Sequence, residues 1–90
     1  MTARLVYYEG KVQGVGFRFS VKQIANGYDV VGTVRNLPDG RVEVYVAGDR
    51  EEVEAFLTGI EESELKSHIR KIERHIVDVA AGVRGFQIAH

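Results

Sequence analysis

The stretch HIRKIERHIVDV, residues 68–79, supports two readings, and the fold turns on the choice between them. Leu65, Ile69, Ile72, Ile76 and Val79 recur at helical spacing, which favours a third helix. The β-branched residues Ile76, Val77 and Val79 crowd one end of the stretch and favour a strand instead. The surrounding segments weigh toward the strand. They build a sheet covered by helices, and such a sheet needs a partner for its exposed edge.

Upstream, RLVYYEGKVQ (residues 4–13) alternates as a strand with Val6, Tyr8 and Val12 on one face. Phe17, Val21, Ile24, Ala25 and Tyr28 then form the apolar stripe of an amphipathic helix, and Gly27 marks its end. Residues 30–36 read as a second strand. Residues 41–47 read as a third, with Val42, Val44 and Val46 on one face and Arg41, Glu43 and Tyr45 on the other. Leu37-Pro38-Asp39-Gly40 between them is hairpin chemistry. Asp49 is placed to cap a second helix, with Glu52 as its capping-box partner and Val53, Phe56, Leu57 and Ile60 as its buried stripe. Residues 82–88 supply a turn and a short last strand ending in Phe86 and Ile88. This order predicts an α+β, ferredoxin-like split βαβ sandwich: an antiparallel sheet of four to five strands with two helices on one face. The expected organisation is a single domain over residues 1–90, because 90 residues suffice for one core and not two.

Composition narrows the chemistry. A formal net charge of −1 gives no global field for nucleic acid or an anionic membrane, so any anion site has to be local. The absence of cysteine excludes disulfides, thiolate catalysis and cysteine-based zinc sites. Neither a signal-peptide segment nor an apolar run of membrane length is present, so the expected compartment is the cytoplasm.

One stretch invites a functional reading. In KVQGVGFRFS, residues 11–20, a glycine-bearing loop joins a strand to the start of a helix and carries Arg18. Glycines permit backbone angles that let free N–H groups converge on an anion, with the helix dipole assisting. A guanidinium adds paired donors for phosphate oxygens. The loop is neither of the common glycine-rich nucleotide motifs. On its residues alone, a tight connection with a solvated arginine is the better account.

Two longer runs give a more specific signal. GKVQGVGFR (residues 10–18) resembles the first signature of the acylphosphatase family, and GTVRNLPDGRVE (residues 32–43) resembles the second. The likeness extends over essentially the whole chain. It implies the ferredoxin-like sandwich, and so a strand at residues 68–79. It also implies hydrolysis of the carboxyl–phosphate bond of acyl phosphates, with inorganic phosphate as product and no metal or organic cofactor. By position, Gln13, Gly14, Val15, Gly16 and Phe17 match the family's phosphate cradle. Arg18 matches its phosphate-binding arginine and Asn36 its water-positioning asparagine. On its residues alone, Asn36 before Leu-Pro-Asp-Gly reads as a strand terminator and turn former, and only the resemblance gives it the catalytic role.

Other residues draw blander readings. His68, His75 and His90 are scattered and read as surface residues, with no metal site among them. Arg35 should point away from Asn36, and Lys11 reads as a solvated lysine. The tyrosines read as core or sheet surface, and no nucleic-acid partner is expected. Thr33 replaces a usual aromatic. Asp29 replaces a usual glycine, which threatens strain if its backbone is left-handed. The expected state is a monomer, although an edge strand could pair between copies. The rivals are an anion-binding module without turnover and a regulatory or RNA-binding domain of the same fold.

Overall fold

The computed structural model describes residues 1–90. Strand β1 (Thr2–Gly10) leads into helix α1 (Phe17–Ala25), followed by β2 (Val30–Asn36) and β3 (Val42–Gly48). Helix α2 (Arg50–Glu61), a 3-10 helix (Glu64–His68), β4 (Ile69–Val77) and β5 (Phe86–Ile88) complete the chain. The sheet order is β4-β1-β3-β2-β5. Its four long strands are antiparallel neighbours, and β5 joins β2 in parallel, making the sheet mixed.

The alternating valines explain the layering. Val6 and Tyr8 of β1, Val34 of β2 and Val42, Val44 and Val46 of β3 are fully buried. Register sets Val6 and Val34 on either side of Val44. Val21 and Ala25 of α1 and Val53, Phe56, Leu57 and Ile60 of α2 close on them in one apolar cluster, so both helices cover the same face. Glu43, Tyr45 and Arg35 lie on the other face, where Arg35 Nε donates to Glu43 at 2.9 Å. The loop after β4 folds back there, and the Ala80 N–H donates to the Tyr45 hydroxyl at 2.7 Å.

Residues 69–77 form a nine-residue strand paired with β1 from Ala3↔Val77 to Gly10↔Ile69. The helical spacing of their isoleucines has a local cause. Pairing passes from Glu9↔Lys71 to Gly10↔Ile69, leaving Arg70 as an extra residue. That irregularity turns Ile69 and Ile72 to the core side together. Ile76, which a helix would have buried, is 81% exposed.

Three local expectations are corrected. Asp49 makes no side-chain capping bond, and no capping box forms. Glu52 instead accepts the Asp29 N–H at 2.7 Å, tying α2 to the connection between α1 and β2. No non-glycine residue has a positive φ, so Asp29 carries none of the left-handed strain feared for it. Helix α1 ends at Ala25, two residues before Gly27, with Asn26 as its C-cap.

Candidate active site

The β1–α1 loop is held at both ends by apolar anchors. Val12 is fully buried, and Phe17 packs its ring 5.4 Å from that of Tyr8. The Lys11 N–H donates to the His68 carbonyl at 3.0 Å. Between these anchors the chain turns through left-handed backbone at Gly14 (φ 78°) and Gly16 (φ 76°), conformations that favour glycine. A Cβ at either position would meet nothing within 4 Å, so backbone angle, not crowding, demands glycine there.

None of the backbone N–H groups of residues 13–18 donates to an acceptor within the chain. The first turn of α1 also holds no carboxylate. Arg18 sits in that turn, where a positive side chain opposes the helix dipole, and it has no acidic partner. Free donors, a helix N-terminus and a guanidinium without an acidic partner thus share one place. Chemically, such an arrangement is able to receive an anion.

Asn36 reaches the same place as the last residue of β2. Gly14, Gly16, Arg18, Asn36, Ile88 and His90 border a single hollow of about 270 Å³. The Asn36 Oδ1 is enclosed and has no hydrogen-bond partner. Phe17 also lines the hollow, whereas Val15 stands at the loop tip, 42% exposed.

Gln13 does something that its sequence reading missed. Its side-chain Nε2 donates to the carbonyls of Leu37 (2.8 Å) and Arg41 (2.9 Å) across the β2–β3 turn. That turn is itself ordered, since the Leu37 N–H donates to the Arg41 carbonyl and Asp39 accepts from the Arg41 backbone and side chain. The bridge fixes the loop bearing Arg18 relative to the strand end bearing Asn36.

The histidines divide. His75 pairs with Glu73 at 2.7 Å on the open face, and His68 ends the 3-10 helix, where its carbonyl accepts the Lys11 N–H. His90, read from sequence as a surface residue extending the last strand, lies beyond the end of β5. Its Nδ1 is 3.4 Å from Arg18 Nη1, beside the hollow. Only parallel docking of β5 on β2 brings it there, and local sequence carries no signal for that.

The family model for acylphosphatase matches residues 5–88. This chain belongs to the acylphosphatase family. It is 32% identical over 90 residues to an acylphosphatase of Archaeoglobus fulgidus, covering 100% of both chains. It is 37% identical over 83 residues to one from Rubrobacter xylanophilus, covering 92% of this chain and 76% of the relative. Its structure superposes on the crystal structure of acylphosphatase from Bacillus subtilis with a TM-score of 0.89 and 29% identity, covering 100% of each. The acylphosphatase family places the chain among enzymes that hydrolyse acyl phosphates, small molecules that release inorganic phosphate. No helix is long and apolar enough to cross a membrane.

Proposed function

We propose that the chain hydrolyses acyl phosphates by in-line attack of water on phosphorus, using the hollow at the α1 N-terminus. The backbone N–H groups of Gln13, Gly14, Val15, Gly16 and Phe17 hold the phosphoryl oxygens, and Arg18 adds its guanidinium. The observation that carries this reading is the run of N–H groups at residues 13–18 without acceptors, beside an arginine without a carboxylate.

The reaction asks little else of the protein. The leaving carboxylate has an acid pKa of about 4, so it departs without a general acid at neutral pH. Phosphoryl transfer is accelerated chiefly by positioning and by stabilising charge on the equatorial oxygens. Arginine and amides supply that charge stabilisation, so the proposed reaction calls on no metal or organic cofactor. Asn36 holds the attacking water, and its place on the wall of the hollow opposite the loop that bears Arg18 supports that role. Gln13, through its bonds to Leu37 and Arg41, keeps cradle and water at a fixed separation. We further propose that residues 1–90 act as one domain, as a monomer in the cytoplasm.

The test is loss of benzoyl phosphate with chelator present. Wild type should hydrolyse it. Arg18→Ala should lose phosphate affinity and rate together, and Asn36→Ala should lose rate while inorganic phosphate still inhibits. Full turnover by either variant would remove that residue from the mechanism.

A further inference from the structure

The hollow does not stop at Arg18. Phe19, the next residue of α1, borders it and also borders a neighbouring groove of about 380 Å³ between α1 and the 3-10 helix. The groove's apolar walls are Phe19 and Ile24 on one side and Leu65 on the other. Its one charged residue is Glu64. Phe19 is 61% exposed, so a large aromatic surface stands at the junction of the two depressions.

Reaction geometry gives the groove an occupant. In-line displacement puts the leaving group on the side of phosphorus opposite the attacking water. Asn36, the proposed water holder, borders the hollow from β2, and no strand residue lines the groove. A leaving carboxylate pointing away from Asn36 therefore passes over Phe19. We propose that Phe19 and this groove form the acyl subsite, which favours neutral, apolar acyl groups, aromatic or long-chain, over acetyl. The inference rests on the phosphoryl reading of the hollow given above. Burial of an apolar acyl group against Phe19, Ile24 and Leu65 supplies the binding energy, and Glu64 disfavours an acyl group with an anionic tail.

The experiment compares kcat/KM for benzoyl phosphate and acetyl phosphate in wild type, Phe19→Ala and Phe19→Leu, with inorganic phosphate as inhibitor. Wild type should prefer benzoyl phosphate, and Phe19→Ala should cut the benzoyl-to-acetyl ratio by about tenfold, equivalent to about 1.4 kcal/mol of selective binding. Phe19→Leu should restore part of the ratio, while inhibition by inorganic phosphate stays the same in all three proteins. A ratio that survives Phe19→Ala, or equal handling of the two compounds by wild type, overturns the subsite and leaves the catalytic reading standing. A wild type that hydrolyses neither compound overturns both.

Discussion

The two halves of the fold each run strand, helix, strand, and their helix N-termini are built for opposite ends. Helix α2 begins at Asp49 in extended backbone and carries Glu51 and Glu52 in its first turn. Helix α1 begins at Gly16 in left-handed backbone and carries no acid there, only Arg18. Both ends offer free N–H groups and a positive dipole end. At α2 the chain's own carboxylates answer that charge, and one of them, Glu52, is further occupied by the Asp29 N–H. At α1 a cation is added and two glycines bend the preceding loop, so the field stays unanswered within the chain. A helix N-terminus is therefore not a site by itself. The loop before it and the sign of its first-turn charge decide.

Making α1 resemble α2 should have the largest effect. Arg18→Glu replaces the unanswered cation by an acid and should abolish both benzoyl phosphate turnover and inhibition by inorganic phosphate. Removing one preorganised donor to developing charge costs about 10²–10³ in rate, and charge reversal should exceed that. Steady-state kinetics reads it.

Next comes the loop geometry. Gly16→Ala forces an L-residue into left-handed backbone at a cost of about 1–2 kcal/mol. Each kcal/mol should lower Tm by roughly 4–8 °C in a domain of this size. Activity should fall with it, because the N–H groups lose their common direction. Thermal melts and kcat/KM together check this.

Gln13→Ala should separate positioning from stability. It leaves the Leu37 and Arg41 carbonyls without the Gln13 bridge, so kcat/KM should drop about tenfold, since small misplacements carry large rate penalties. Inhibition by inorganic phosphate should change less than turnover.

At the other helix, Glu51→Gln should leave catalysis untouched and cost about 0.3–1 kcal/mol of stability through the lost dipole interaction. A measurable effect on turnover would contradict the contrast between the two ends.

The smallest effect is one of pH. The Arg41 backbone and side-chain donors hold the Asp39 carboxyl below its ordinary pKa. A carboxyl depressed on folding contributes stability above its unfolded pKa, and that contribution is lost as pH falls through the folded value. The Tm difference between wild type and Asp39→Asn should therefore be present at neutral pH and close in acid, below the ordinary carboxylate range.

Much of this was legible in the residues. The alternation of Val42, Val44 and Val46, and the stripe at Val53, Phe56, Leu57 and Ile60, fixed faces that the structure keeps. Periodicity alone misled at residues 69–76, because the extra residue Arg70 turns two isoleucines to one side and imitates a helix. The capping box failed because Glu52 found a partner distant in sequence, a contact no local pattern encodes. At the site, spacing alone left the loop glycines and Arg18 as an ordinary tight connection, and only the resemblance of residues 10–18 to a family signature singled them out. The Gln13 bridge and the approach of His90 to Arg18 depend on a turn and a strand remote in sequence, and only tertiary structure reveals them.

The most direct measurement is an amide chemical-shift titration with inorganic phosphate, following both helix N-termini at once. The account predicts saturable shifts at residues 13–18 and none at residues 50–53. Shifts shared equally by both ends, or absent from residues 13–18 at saturating phosphate, would contradict it.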